Sequence, residues 1–214
     1  MAEKKIKFID NQMYSYTIYD LIDPYSDILK QKLEPFDFSN PPINPKDLAI
    51  SLIETMVAHR GVGLSANQVG LPYRVFVMGA EKVGFACFNP EIIETYGETK
   101  FEEGCLSFPG LFIPVKRPES VKLRYTDYNG ITKEETFSGF TARIVLHEYD
   151  HLEGQLYINK VSSLVLDRSK QKVKSNLKKL EKERKAFELQ RKIEKQEAAA
   201  VPKETPKVFE YKTG

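Results

Sequence analysis

The apolar positions of this chain follow a helical period in one early stretch. Asn44 can serve as a helix N-cap, and Pro45 suits the first position of a helix. The apolar residues that follow fall on one helical face. They are Leu48, Leu52, Ile53 and Met56. The pattern predicts a core-facing helix that begins near Asn44 and ends near His59.

Short segments with the composition of β-strands come next, separated by Gly, Asn and Pro. They span residues 73–79, 83–88 and 91–96. Residues 121–125 alternate apolar and polar positions, and Asn129-Gly130 predicts a turn into residues 131–137. A second helix is predicted to end at Gly154, because glycine commonly terminates helices. The fold class is therefore predicted to be α+β, with a mixed, mainly antiparallel sheet packed around that central helix.

The character of the chain changes after Lys160. Residues 168–197 are dense in Lys, Arg and Glu and contain neither Gly nor Pro, which predicts a long C-terminal helix. Its apolar stripe is too narrow for a globular core and resembles a short coiled-coil seam. The predicted organisation is a domain over residues 1–160, a charged helix over residues 161–200 and a disordered tail over residues 201–214.

The composition excludes several broad classes of protein. Lys and Arg number 32 against 30 Asp and Glu, so the net charge of +2 does not indicate a nucleic-acid binder as a whole. No apolar run reaches the length of a membrane span. The first 25 residues have neither the apolar stretch of a signal peptide nor the acid-poor composition of a transit peptide. A soluble protein of a reducing, cytoplasmic compartment is expected.

The segment His147-Glu148-Tyr149-Asp150-His151 is the strongest chemical pattern. On a helix, residues four apart share a face, so the two imidazoles can bind one cation. Glu148 lies about 100° round the helix from His147, beside the metal, and can act as a base for water rather than as a ligand. Two surface histidines would give the same spacing. However, the chain has 3 histidines and two lie here, which favours a metal site.

A catalytic metal usually has three protein ligands and one open position. The downstream sequence offers no obvious third ligand, because Tyr157 occupies the sixth position after His151 and no Glu occurs between Glu153 and Glu181. Upstream, Cys105 is a soft donor that a divalent metal would hold as a thiolate. His59 could also be a ligand, but a place at the helix end or on the surface is favoured for it.

The second cysteine is predicted to be structural. Cys87 lies in the apolar run of residues 83–88, where a buried thiol is the usual outcome. Counting alone leaves a Cys87–Cys105 disulfide open, but nothing else in the sequence indicates an oxidising compartment.

A third landmark is the glycine-containing loop of residues 61–70. No strand precedes it and no Lys-Ser/Thr pair follows its glycines, which argues against a nucleotide-binding loop. Glycines can let the main chain pass close to a ligand. Gln68 could then offer its amide NH2 group to a developing oxyanion.

Taken together, residues 61–68, 103–107 and 147–151 resemble the three ordered motifs of peptide deformylases. The resemblance covers roughly residues 25–160, and three motifs in order are highly specific. It implies a hydrolase that removes the N-formyl group from the formyl-methionine of new polypeptides and releases formate. It also implies one divalent metal per chain, typically Fe²⁺, which Zn²⁺, Ni²⁺ or Co²⁺ can replace. Ser65 and residues 108–110 resemble the plant-organelle-type branch. A bacterial, bacteriophage or organelle origin is left open, and the last is disfavoured because no transit peptide is evident.

The residues at these positions receive the following expected roles. The metal ligands are Cys105, His147 and His151. Glu148 is the general base, and the side chain of Gln68 and the backbone N–H of Leu106 stabilise the oxyanion. The resemblance places the methionine side chain against Val62, Phe101, Phe140 and Ile144, and the substrate main chain beside Gly63 and Gly104.

Several alternatives and one departure from the family pattern remain. Many relatives carry an acid at the position of Arg60 that can pair with an arginine at Arg117, so this supporting pair is expected to be absent or replaced. A zinc endopeptidase would share the two histidines, and a ribosome-binding protein could carry a closed, structural metal site. The basic C-terminal helix could contact ribosomal RNA, as bacterial deformylases can dock at the ribosome, or it could simply be solvated.

Overall fold

The computed structural model describes residues 3–9, 12–80 and 83–200. These residues form an α+β fold, as predicted. The strands are β1 (Glu3–Ile9), β2 (Gln12–Ile18), β3 (Gly63–Ser65), β4 (Val75–Ala80), β5 (Val83–Tyr96), β6 (Thr99–Cys105), β7 (Phe108–Arg117), β8 (Ser120–Thr126) and β9 (Thr132–Ser138). The α-helices are α1 (Pro45–Ala58), α2 (Gly139–Leu152) and α3 (Ser163–Ala200).

The main sheet is antiparallel and has the strand order β3-β4-β5-β8-β9. The predicted hairpin is confirmed as β8 and β9, in which Val121 pairs with Phe137. Asp127 closes the turn, since its carboxylate accepts hydrogen bonds from the backbone N–H groups of Asn129 and Ile131 at 2.8 and 3.1 Å. The apolar positions of β8 are buried, which explains why its sequence alternates.

Strand β5 joins two segments that the sequence predicts to be separate. The register with β8 shifts between Phe88 and Glu91, so the Asn-Pro pair between them marks an irregularity in a continuous strand. Asn89 has a φ of 48°, a left-handed conformation that asparagine tolerates better than most residues. Its side chain exchanges hydrogen bonds of 2.6 and 2.9 Å with the backbone of Phe36. The bend therefore ties the loop before α1 to the sheet.

Helix α1 begins and ends where the sequence predicts. The side chain of Asn44 accepts hydrogen bonds from backbone N–H groups of the first turn. At the other end, the N–H of Gly61 binds the carbonyl of Met56 and the N–H of Arg60 binds that of Val57, both at 2.9 Å. This is a Schellman ending, and it holds Arg60 at a φ of 58°, where glycine is the usual residue.

Helix α2 packs against β3, β4, β8 and β9 and carries both histidines of the metal motif. The helix ends as predicted, with Gly154 at a φ of 70°. A Cβ on Gly154 would lie 2.6 Å from the carbonyl carbon of Lys30, so both the conformation and the close approach require glycine. The buried apolar face of the helix consists of Ala142, Val145, Leu146 and Leu152.

Two small antiparallel sheets, β1-β2 and β6-β7, have no counterpart in the sequence prediction. The first is anchored to α1, because the backbone N–H groups of Thr17 and Tyr19 donate to the hydroxyls of Ser51 and Thr55 at 3.1 and 3.0 Å. The second ends at Cys105, which pairs with the first residue of β7. The β6-β7 sheet thus brings the cysteine motif to α2.

The chain divides into two compact units, Met1–Ser169 and Lys170–Gly214. The long C-terminal helix predicted from the sequence is confirmed as α3. On it, Leu177 and Leu180 are about 60% exposed, as expected for a narrow apolar stripe. None of the helices in the described part of the chain has both the length and the apolarity needed to cross a membrane. The tail predicted to be disordered, residues 201–214, lies outside the described residues.

Candidate metal centre and active-site cleft

Cys105, His147 and His151 come together at one point, although the cysteine and the histidines lie in different motifs. Their ligand atoms all lie within 4.8 Å of one another, and the Cys105 Sγ is 3.4 Å from the His151 Nε2. Sulfur and nitrogen ligands on one tetrahedral cation are about 3.5 Å apart, given ordinary metal–ligand bond lengths. The three side chains can therefore hold one divalent metal, with a fourth position left for water or substrate.

The orientation of His147 is set by a buried carboxylate. Glu103 Oε2 lies 3.1 Å from the Nδ1 of His147, so the Nε2 is left for the metal. Burial alone would raise the pKa of Glu103, but the hydrogen bonds from His147 and Arg117 and the charge of that arginine lower it to about 2. Glu103 is therefore an anion at neutral pH and can support a metal-bound imidazole.

Glu103 belongs to a wider group that we call the charge cluster: Glu103, Arg117, Arg143 and Asp150. Arg117 donates two hydrogen bonds to Glu103, at 2.6 and 2.9 Å, and one to Asp150 at 2.5 Å. Arg143 donates to Glu103 at 2.7 Å. The two buried cations are thus compensated by carboxylates and backbone carbonyls.

Arg117 has acidic partners in the structure, although position 60 is an arginine. The supporting acid is not at position 60 but is supplied by Glu103 and Asp150, which neutralise the guanidinium of Arg117. Arg60 instead lies exposed at the end of α1, on the edge of a cleft. The expected supporting pair is therefore replaced. The sequence did not indicate that Glu103 and Asp150 would be the partners of Arg117.

Glu148 is buried beside the metal ligands, at 4% exposure. Its Oε2 lies 2.7 Å from the hydroxyl of Ser65. Burial raises the pKa of Glu148, against the lowering effects of His147 and of the Ser65 hydrogen bond. Strand β3 passes so close that a Cβ on Gly63 would lie 2.5 Å from the Glu148 Oε1. Glycine at this position therefore makes room for the carboxylate.

The amide of Gln68 has a fixed orientation. Its Oε1 accepts a hydrogen bond from the backbone N–H of Ser65 at 2.9 Å. Its Nε2 consequently faces the cysteine motif, 3.4 Å from the Cys105 Sγ and 3.0 Å from the hydroxyl of Ser107. The NH2 group is thus directed at the place where a metal and a substrate oxygen would lie.

These groups open into one cleft with a cavity of about 520 Å³. Gln68, Cys105, Leu106, His147 and Glu148 line it, whereas His151 is buried outside the lining at 1% exposure. Five of the six residues expected to contact substrate also line the cleft: Val62, Gly63, Gly104, Phe140 and Ile144. The prediction for Phe101 is not met, because this residue is not part of the lining. The exposed ring of Phe101 lies outside this lining, 6.3 Å from the ring of Phe140, which is part of it.

Several residues of the site were not predicted from the sequence. Ser65, Ser107, Arg143 and Asp150 received no role, and Glu103 was noted only as part of the cysteine motif. Its position two residues before Cys105 was the one local signal, because alternate residues of a strand share a face. The remaining expectations for single residues fit their places: Cys87 is a buried free thiol, and His59 caps α1 while its Nε2 contacts the Tyr19 carbonyl at 3.2 Å.

Comparison with known proteins gives one consistent result. The polypeptide deformylase family matches residues 16–167. A Clostridium perfringens protein named peptide deformylase 1 is 46% identical over 135 residues, which cover 62% of this chain and 90% of that protein. A Legionella pneumophila peptide deformylase structure aligns with a TM-score of 0.66 and 33% identity, covering 77% of this chain and 97% of the other.

An Acinetobacter baumannii peptide deformylase solved with Met-Ala-Ser bound aligns with a TM-score of 0.62 and 33% identity, over 67% of this chain and 98% of that one. The similarity spans all three sequence motifs and the elements that carry them. The chain belongs to the peptide deformylase family.

Proposed function

We propose that Cys105, His147 and His151 hold one divalent metal, beside which Glu148 and Gln68 act on a formyl group. As a member of its family, the chain is a metal-dependent hydrolase that removes the N-formyl group from new polypeptides. The observation that carries the assignment of residues is the convergence of three ligand atoms within 4.8 Å at a cleft that also holds Glu148 and Gln68.

A divalent metal in this site supplies Lewis-acid chemistry that favours amide hydrolysis near neutral pH. Glu148 takes a proton from the attacking water and later gives it to the leaving amine, so the C–N bond of the formamide breaks and formate and a free amine form. The Gln68 NH2 and the backbone N–H of Leu106 donate hydrogen bonds to the oxygen that becomes negative. The fixed amide of Gln68 supports this role.

The substrate enters with its methionine side chain against the apolar residues of the cleft. Val62, Phe140 and Ile144 line that part, with the ring of Phe101 6.3 Å from that of Phe140. Gly63 and Gly104 also line the cleft, and an extended peptide can bind along main chain of this kind. The Met-Ala-Ser peptide bound to the Acinetobacter baumannii relative has the sequence of such a product. We infer that formyl-methionyl peptides are the natural substrates of this chain as well.

Fe²⁺ is the metal that we propose for the cell, with Zn²⁺, Ni²⁺ or Co²⁺ able to replace it. One thiolate and two imidazoles accept each of these ions, so the donor set is compatible with all of them. Metal analysis of protein isolated without oxygen, at the metal levels of its own cell, would identify the ion. An iron content far below that of zinc would contradict the assignment.

We further propose that the enzyme acts in the cytoplasm on nascent chains and that α3 contacts the ribosome. Lys and Arg outnumber Asp and Glu in this helix, and many of its basic side chains are exposed. Phosphate contacts of this kind weaken steeply with salt. Salt-sensitive cosedimentation with ribosomes that Lys172→Glu and Lys174→Glu together abolish would support contact, whereas unchanged cosedimentation would favour a solvated helix.

The test of the enzymatic proposal is formate release from formyl-Met-Ala-Ser, with protein purified without oxygen and its metal content measured. We expect release at about one metal per chain, as a three-ligand catalytic site requires. The matched control is acetyl-Met-Ala-Ser, from which no acid should be released at a comparable rate. Cleavage of internal peptide bonds without formate release would favour an endopeptidase, and metal-loaded protein without either activity would favour a structural site.

A further inference from the structure

Ser65 lies between the two side chains that the proposed mechanism uses. It is the last residue of β3 and is fully buried. Its backbone N–H holds the Gln68 Oε1 at 2.9 Å, while its hydroxyl lies 2.7 Å from the Oε2 of Glu148. One residue that does not line the cleft therefore touches both the amide and the carboxylate.

The hydroxyl of Ser65 has a choice of acceptor. Its Oγ lies 2.7 Å from the Glu148 Oε2 and 3.0 Å from the Glu148 backbone carbonyl oxygen. A hydroxyl has one proton, so it can donate to one of these at a time. The carboxylate is both nearer and charged, and a hydrogen bond to an ionised acceptor is the stronger kind. The geometry therefore favours donation to the carboxylate.

The Glu148 carboxylate depends strongly on this contact. In the described part of the chain, Ser65 is the one residue whose side chain donates a hydrogen bond to it. A glutamate has several rotatable bonds, and a buried carboxylate without a donor is unfavourable. Alanine at position 65 would leave the carboxylate free to rotate away from the position at which it meets the attacking water.

We propose that Ser65 is a positioning residue, whose hydroxyl fixes the carboxylate of Glu148 for proton transfer. The inference rests on the proposed role of Glu148 as general base. Ser65 does not touch the substrate, so its hydroxyl acts on the rate of the chemical step rather than on substrate binding. Its backbone N–H, which donates to the Gln68 Oε1, is retained in side-chain variants.

The kinetic test compares Ser65→Ala with Ser51→Ala as metal-loaded proteins. Ser51 is a matched control, because it is also buried and its hydroxyl accepts a hydrogen bond from the N-terminal hairpin, away from the cleft. Loss of a hydrogen bond to a charged group predicts a fall in kcat of about tenfold to a hundredfold in Ser65→Ala. KM for formyl-Met-Ala-Ser should stay within about twofold of the parent, and metal content should not change.

A second test does not depend on activity. Thermal unfolding of four metal-loaded proteins, the parent, Ser65→Ala, Glu148→Ala and the double variant, measures the coupling between the two side chains. If the hydroxyl donates to the carboxylate, Ser65→Ala should lower Tm by about 4 °C in the parent and by less than half of that in the Glu148→Ala background. If it donates to the backbone carbonyl, the two shifts should add, which would overturn the proposal.

If Ser65→Ala does not fold, Ser65→Cys provides a second variant for the same test. Cysteine keeps a side chain of similar shape with a weaker donor, so an intermediate fall in kcat is expected. A parent-like kcat in either variant would contradict the positioning role. If the parent itself released no formate, the proposed function would fail, whereas the unfolding measurements would still report whether Ser65 and Glu148 interact.

Discussion

The charge cluster and the cleft both meet the metal site, but their polar groups are supported very differently. In the cluster, Glu103 is bound by Arg117, Arg143 and His147 at 2.6 to 3.1 Å. In the cleft, the carboxylate of Glu148 has the hydroxyl of Ser65 as its donor within the described residues. Two aromatic side chains that line the cleft, Phe112 and Phe140, are 58% and 54% exposed.

The groups that orient the metal ligand are therefore held more firmly than the groups that take part in the reaction. Groups that orient a metal ligand are held by several strong hydrogen bonds, which preorganise the site. Glu148, which must exchange a proton, and Phe140, which is expected to contact substrate, have fewer partners and line the cleft. The comparison predicts that changes in the cleft reduce turnover with little loss of stability, whereas changes in the charge cluster reduce stability and metal affinity together.

The largest effect on turnover is expected from Glu148→Ala. Loss of a general acid–base group should lower kcat by about 10³- to 10⁴-fold. The metal content of the purified protein should remain that of the parent, because Glu148 is not one of the three ligand residues. Formate release and metal analysis on the same sample test both statements, and abundant turnover would exclude Glu148 as the general base.

A smaller loss of turnover is expected from Gln68→Ala. Removing one donor to an oxyanion typically lowers kcat by about 10²- to 10³-fold. Gln68 Nε2 also approaches Cys105 Sγ, so metal content should be measured beside kcat. A parent-like kcat with full metal would show that this amide does not stabilise the oxyanion.

In the charge cluster, Arg117→Ala should act mainly on stability. It leaves Glu103 and Asp150 without their guanidinium partner, and breaking a buried ion pair lowers the free energy of unfolding by about 3–5 kcal/mol. Metal affinity should fall by about 10- to 100-fold, because Glu103 orients His147. Denaturant unfolding and competition with a chelator measure the two effects.

The matched control for that prediction is Arg124→Ala. Arg124 also pairs with two carboxylates, those of Glu91 and Glu134, but its side chain is 44% exposed. Exposed ion pairs contribute little to stability, so this variant should unfold and bind metal like the parent. Equal losses of stability and metal affinity in Arg117→Ala and Arg124→Ala would contradict the prediction that the buried charge cluster contributes more than an exposed ion pair.

The smallest effect is expected from Phe140→Ala at the cleft. Its ring is 54% exposed beside Phe101, so its removal should change stability little. Loss of apolar contact with the methionine side chain should lower kcat/KM for formyl-Met-Ala-Ser by about tenfold. Tyr128→Ala, an exposed aromatic that does not line the cleft, is the control. A parent-like kcat/KM would exclude Phe140 from the methionine pocket.

Much of this site was predictable because its chemistry lies in short, local patterns. The four-residue spacing of His147 and His151 and the glycine stop at Gly154 are properties of a single helix. The ends of α1 and the β8-β9 hairpin were predictable for the same reason, since caps and turns depend on neighbouring residues.

The rest depends on contacts between distant parts of the chain. Glu103 and Arg143 are 40 residues apart, and Ser65 and Glu148 are 83 residues apart. Sequence order does not indicate which charges will meet, so the replacement for an acid at Arg60 could not be predicted. The β6-β7 sheet was missed because β6 has few apolar residues and does not alternate, while β7 contains two prolines, which are uncommon inside strands.

The most direct test of the account is to remove and restore the metal while counting it. Protein purified without oxygen would be treated with a chelator, and formate release and metal content would be followed together, before and after Fe²⁺ is returned. We predict that activity falls in proportion to metal, returns at about one Fe²⁺ per chain, and does not return in Cys105→Ala. Full activity in the metal-free protein, or full recovery by Cys105→Ala, would contradict the assignment of the Cys105, His147 and His151 site as the catalytic centre.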